Sequence, residues 1–298
     1  MTSPIIGHAF VRSAIAPMFA EPRITAAQVS QRLSGHPVYV LESRPAQWHR
    51  VRGMDDYEGW MHDGYFMRLV DEAPVMATTA QDFALTYVPR VSLGVITRSE
   101  RHGMRALPLG AWLDLDEEIV DGDVAALNEM DQKFATEPDA IAQSAVEWFE
   151  GTSYQWGGIT PWGADCSGFV QTIFSVHGVQ LPRDAHQQAL QGTEVSRDAL
   201  RPSDLLFFSD QPDKRITHVG VALDPLQSPT SSRRPGPRVG QRPLDRTGEL
   251  LPVDAEPALD LDLVRTQRTA ANRLATSGDD GEPTVPDRDD PRDEAGRR

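Results

Sequence analysis

The last 74 residues of this 298-residue chain contain no Phe, Tyr, Trp, His, Cys, Met or Lys, but 12 Arg and 10 Pro. A segment with so little large apolar surface cannot bury enough to offset the entropy of ordering it. From Pro225 onward the sequence therefore reads as a disordered, low-complexity tail, with Leu259 to Val264 as its one strand-like run. The folded core is expected within residues 1–224.

A chain of this length has room for two or three domains of roughly 100–150 residues each. Its formal charge of −15 disfavours a broad electrostatic contact with nucleic acid. No run approaches the roughly 20 apolar residues of a membrane span, so no membrane partner is expected. Met1 to Arg23 lacks a basic stretch followed by an apolar core, because Arg12 and Pro17 interrupt Ala9 to Ala20. A single cysteine makes no disulfide framework. Together these features lead to the expectation of a cytoplasmic protein. The eight histidines are scattered, without a His-Glu-x-x-His pair, and no glycine-rich phosphate loop is present. No metal or other cofactor is expected.

Residues 1–75 read as a small β-rich unit with one helical insertion. Val29 and Leu33 stand at helical spacing within Ile24 to Leu33, which Gly35 stops. Val38 to Leu41, Trp48 to Val51 and Tyr57 to Met61 read as short strands with a turn at Asp55-Asp56, a pattern that suggests a small barrel. Residues 76–135 read as a second unit of this kind, with strand-like runs at Val91 to Thr97 and Ala106 to Leu115 around a turn at His102-Gly103. Pro138 to Phe149 is a predicted helix: Thr136 is placed to cap it, Pro138 suits its first turn, and Ile141, Ala145 and Trp148 share a face.

The chemistry concentrates in the third unit, residues 136–224. Gly163-Ala164-Asp165-Cys166-Ser167-Gly168-Phe169-Val170 leads from a Gly/Pro-rich loop into an apolar helical run. That sets Cys166 at a helix N-terminus, where unpaired N–H groups favour a thiolate and can stabilise the oxyanion of a tetrahedral intermediate. Fifty-two residues later His218 opens an apolar strand, Ile216 to Leu223. A thiol needs such an imidazole as base and later as acid. His177 lies eleven residues after the cysteine, too far along the same helix to meet it.

These residues resemble the NlpC/P60 family of cysteine peptidases. The resemblance runs through Tyr154-Gln155-Trp156-Gly157-Gly158, Asp165-Cys166-Ser167-Gly168-Phe169, Leu181-Pro182-Arg183-Asp184, Arg201 to Phe208 and His218-Val219-Gly220-Val221. It implies an α+β, papain-like peptidase domain with Cys166 as nucleophile and His218 as base. The preceding units resemble bacterial SH3-like domains, through Ala16-Pro17-Met18, Gln28 to Gln31 and Tyr57-Glu58-Gly59-Trp60. Proteins of this architecture resemble γ-D-glutamyl-L-diamino acid endopeptidases acting on murein peptides with a free N-terminal L-alanine. The resemblance implies that Tyr154, Asp165 and Ser167 line the substrate pocket, and that Glu58 holds the amine. The partner implied is thus a murein peptide.

The pattern breaks after His218. The family places a third polar residue, usually His, about a dozen residues downstream to orient the imidazole. No histidine follows His218 here, and the nearest polar candidate, Gln227, is flanked by Pro225 and Pro229. The peptidase unit therefore reads as incomplete on its C-terminal side. Two functions stay open: a hydrolase, impaired by the missing residue, and a catalytically degenerate murein-peptide binding protein. Acyl transfer by a related thiol fold ranks below both.

Overall fold

The computed structural model describes residues 3–69, 89–223 and 262–269. The first unit holds β1 (Gly7–Val11), β2 (Ile15–Phe19), β3 (Gln28–Leu33), β4 (Pro37–Arg44), β5 (Trp48–Arg52), β6 (Glu58–His62) and β7 (Phe66–Arg68). They form one antiparallel sheet in the order β3-β2-β6-β5-β4-β1-β7. Alternation explains its curl around a core. Ala9, Val11, Ala16, Met18, Val38, Val40, Val51, Met61 and Phe66 come from alternate positions and pack together. The three strands expected between residues 38 and 61 are β4, β5 and β6.

The expected helical insertion at Ile24 to Leu33 is absent. Residues 21–26 form bends and turns, and β3 pairs with β2 from Ile15↔Leu33 to Phe19↔Gln28. A separation of four residues, as between Val29 and Leu33, fits both the helical period and the two-residue period of a strand. Pairing with β2 decides for the strand.

The middle unit comprises β8 (Arg90–Ser92), β9 (Val95–Ser99), β10 (Gly103–Leu107), β11 (Glu118–Asp121) and β12 (Val124–Ala126). β9 lies between β10 and β11, and β12 pairs with β8. The expected strand Ala106 to Leu115 stops at Leu107. Pro108 has no N–H to extend the ladder, and only an isolated bridge from Trp112 to Val91 follows. A short helix α1 (Met130–Lys133) leads to α2 (Pro138–Phe149), which has the predicted limits. Its N-cap is Glu137 rather than Thr136, with no side-chain capping bond, and Pro138 occupies the first turn.

The third unit contains β13 (Ile159–Thr160), β14 (Gly163–Ala164), α3 (Cys166–Val176), α4 (Ala185–Gln188), β15 (Thr193–Glu194), β16 (Leu205–Ser209) and β17 (His218–Val221). β18 (Asp262–Arg268) joins it from the tail, giving a sheet ordered β15-β18-β16-β17. Every residue of α3 except Ser175 is buried. Phe169, Val170, Ile173 and Phe174 pack with Phe149 and Ile141 of α2 and with Leu205, Phe207, Val219 and Val221 of the sheet.

β18 corrects the expectation of a wholly disordered tail. Its backbone pairs with β16 from Leu205↔Gln267 to Ser209↔Asp262, and the Arg268 guanidinium donates to both oxygens of the buried Asp204 carboxylate, at 3.0 and 2.9 Å. Backbone pairing and an ion-pair fork need no large apolar residues, so only the start of the strand showed in the sequence, in the run Leu259 to Val264. The rest of residues 225–298, including Gln227, lies outside the described residues. No helix among the described residues is long and apolar enough to cross a membrane.

Candidate active site

Cys166 opens α3 because the residue before it is an effective cap. The Asp165 carboxylate accepts the Gly168 N–H at 2.7 Å, and the Asp165 backbone is extended. The thiol then sits at the positive end of an eleven-residue buried helix. Behind it, the backbone of Gly168 crosses that of Gly158 so closely that a Cβ at Gly168 would overlap the Gly158 carbonyl. That crossing fixes the depth at which Cys166 lies.

α3 packs on β17, and the Val219 N–H points at the Cys166 sulfur together with the N–H of Ser167. His218, the residue before Val219, opens the same strand, and the Asp165 charge acts on both Cys166 and His218. Burial, followed by the negative charge of Asp165, pushes the Cys166 thiol up to about 11, against the opposing pull of those two N–H groups and Arg183. Burial lowers His218, opposed only by Asp165. At neutral pH the resting pair is thus an uncharged thiol and an uncharged imidazole. Phe208 of β16 lies opposite His218 across the ladder, with ring centroids 6.0 Å apart. Among the described residues no side chain hydrogen-bonds the His218 ring.

Asp165 and Ser167 lie at the centre of a buried network rather than on an open pocket wall. The Arg183 guanidinium donates to Asp165 through Nη1 at 3.0 Å and Nη2 at 2.7 Å, to Ser167 Oγ at 2.9 Å, and through Nε to Ser30 Oγ at 3.1 Å. Gly157 N–H adds a bond to Asp165 at 2.9 Å. Tyr154 bridges to Ala164 and remains 42% exposed. Its hydroxyl is shifted upward by burial first, then by the neighbouring Cys166 and Asp165. Trp156 and Trp162, on the loops leading to Cys166, are exposed at 67% and 52%. Exposed aromatic faces beside a nucleophile are available to a ligand.

Glu58 has a different setting. It points outward from β6 and accepts from Arg50 at 3.1 Å and from Arg52 at 3.1 and 2.8 Å. No contact joins it to Cys166 or His218 among the described residues. The first unit reaches the site elsewhere. Gln28 donates to the Trp156 carbonyl at 2.9 Å, Gln31 accepts the Ile159 N–H at 3.2 Å, and Asp55 accepts from Gln171 of α3 at 3.0 Å. Tyr57 bonds the Asp184 side chain, and its hydroxyl is pushed up to about 12 by burial and then by that carboxylate.

Ser30, Gln31, Asp55 and Tyr57, which contact residues 159–184 around Cys166, were not read from the sequence as neighbours of the site. β3 was read as helical, which hid the strand that faces the nucleophile loop. His177 was correctly set aside: it caps the C-terminal end of α3 and bonds the Ala135 carbonyl.

Comparison with known proteins adds independent information. Residues 151–243 match the model of the NlpC/P60 family. A γ-D-glutamyl-L-lysine dipeptidyl-peptidase of Bacillus cereus is 28% identical over 231 residues, covering 68% of this chain and 68% of that protein. One of the same description from Bacillus subtilis is 44% identical over 91 residues, 30% of each chain. The probable endopeptidase NlpC of Escherichia coli is 45% identical over 77 residues, 26% of this chain and 50% of that protein. The chain thus spans less than two thirds of the length of the latter two. An NlpC/P60 family crystal structure from Bacillus cereus covers 88% of this chain and 99% of its own, at 20% identity and a TM-score of 0.56. That likeness concerns the fold.

Proposed function

We propose, from the match of residues 151–243 to the NlpC/P60 family, that the chain is a cysteine peptidase cleaving γ-D-glutamyl-diamino acid bonds in murein peptides. The observation that carries this reading is the buried thiol of Cys166 at the head of α3, with the Val219 N–H against it and His218 as the preceding residue of β17. Two relatives named γ-D-glutamyl-L-lysine dipeptidyl-peptidase support the bond type.

In this mechanism Cys166 Sγ attacks the γ-carbonyl carbon as its proton passes to His218. Because thiol and imidazole are both neutral at rest, that transfer accompanies attack rather than preceding it. N–H groups at the start of α3 stabilise the oxyanion. Collapse breaks the C–N bond, and the leaving amine takes the proton from His218. Water, deprotonated by His218, then attacks the thioester and restores the thiol.

We read the first unit as an SH3-like module that closes one side of the cleft, supported by the docking of β3 and Tyr57 against residues 156–184. Two carboxylates compete for a substrate amine. Glu58 is held by two arginines, whereas the Asp184 side chain adjoins Arg183 and bonds the Tyr57 hydroxyl, which favours Asp184. The test is a comparison of L-Ala-γ-D-Glu-Lys with its N-acetylated form, for wild type, Glu58→Gln and Asp184→Asn. Cleavage of the free-amine peptide alone supports this reading. Equal cleavage of both forms removes the amine requirement, and cleavage of neither removes the proposed bond type.

A second reading, a murein-peptide binding protein without turnover, is favoured by one observation: no described side chain orients His218. Peptide binding by calorimetry without release of the diamino acid is its signature.

A further inference from the structure

Arg183 is 2% exposed, and its guanidinium joins two units of the chain. Nε donates to Ser30 of β3, while Nη1 and Nη2 grip Asp165, the residue that caps α3 and precedes the nucleophile. A buried arginine fork on a carboxylate adds geometric specificity as well as energy. The charges facing Cys166 make its sign matter. Asp165 opposes ionisation of the thiol and Arg183 favours it, while Tyr154 also faces the sulfur and His218 faces the Asp165 charge. Beyond Arg183 stand Tyr57 and Asp184, which face the guanidinium from β6's N-terminal approach and from the start of α4.

We propose that Arg183 is a positioning residue that offsets the Asp165 charge beside Cys166, and that its bond to Ser30 makes nucleophile reactivity depend on the docked N-terminal sheet. Without the guanidinium, Asp165 would keep its cap of α3 but stand as an uncompensated buried anion next to the sulfur. The peptidase domain is then not an autonomous catalyst, because part of its electrostatic setting comes from a strand more than 130 residues earlier in the sequence.

The proposal takes from the proposed function only that Cys166 is the reactive thiol, and it is tested without a peptide substrate. The full chain has a single cysteine, so alkylation by iodoacetamide reports Cys166 alone. Rates are measured between pH 6.5 and 9.5 for wild type, Arg183→Met, Asp165→Asn and the double variant. Arg183→Met is expected to react about tenfold more slowly at each pH, a rise of about one unit in the thiol midpoint. Asp165→Asn, which retains a capping side chain, is expected to react about tenfold faster. The double variant should return to within about threefold of wild type, and Ser30→Ala should slow alkylation two- to threefold. Slowing in both single variants alike, or no change in either, overturns the charge relation. An unchanged Ser30→Ala rate overturns the link between units. If Arg183→Met does not fold, Asp165→Asn decides: faster alkylation supports the proposal, and slower or unchanged alkylation overturns it.

Discussion

Cys166 is buried at 7% exposure, and its thiol holds a proton to about 11, where an unperturbed one releases it near 9.0. Between these values the folded protein keeps a proton that the unfolded chain has lost. The stability contributed by the neutral thiol is therefore complete below pH 9 and declines as pH rises through 11. By pH 10 the loss is about 1 kcal/mol. Melting temperatures of wild type and Cys166→Ala, followed from pH 8 to 10, should converge on the variant's curve as pH rises. This interval lies below the raised tyrosine ionisations of Tyr57 and Tyr154. A constant gap would mean that the folded thiol is not held above its ordinary value. The place of Cys166 at a helix start was legible from the sequence, because a cap, a cysteine and an apolar helical run form a local signal. Arg183 was legible only as part of a motif, since its partners at Ser30 and Asp165 lie far apart in sequence.

The element that positions the nucleophile is α3, and its placement depends on a backbone crossing. Gly168 admits the Gly158 carbonyl, which itself accepts the Asp165 N–H at 3.2 Å. Gly168→Ala is expected to cost about 3 kcal/mol, the upper range for overpacking a tight interior. It should also disturb Cys166 more than a remote core substitution of equal cost. Chemical denaturation checks the first point, and the alkylation rate at equal folded fraction checks the second. Elements built on one local period were read correctly: α2 has the predicted limits, and β4, β5 and β6 lie where expected. β3 was misread because Val29 and Leu33 satisfy two periods, and only its pairing with β2 removes the ambiguity. β18 was foreseen only at its start, where the strand-like run Leu259 to Val264 overlaps it; the rest is mostly polar and is held by backbone pairing and by Arg268.

At the scale of the whole molecule, three units meet around α3, and a strand from the tail inserts between β15 and β16 in the sheet that carries His218. Removing β18 would strip β16 of one neighbour and remove the cation that grips Asp204. Arg268→Met is expected to cost about 3 kcal/mol, the lower range for breaking a buried pair. A chain ending at Leu223 should show a larger loss, with exposed sheet edge promoting aggregation. Equal melting temperatures for full-length and shortened chains would show that the tail strand adds nothing to the fold. Turn spacing and the break in composition at Pro225 led to the expected three-unit division, whose last boundary β18 crosses. The sheet that joins residues 205–221 to 262–268 was hidden by the intervening 40 residues.

The most direct test of the central claim is release of diaminopimelate from L-Ala-γ-D-Glu-diaminopimelate by purified full-length protein, with Cys166→Ala prepared alongside. Release by wild type and none by the variant is expected, both folded by circular dichroism. Wild-type protein that binds the tripeptide without releasing the diamino acid, or release that persists in Cys166→Ala, would contradict it.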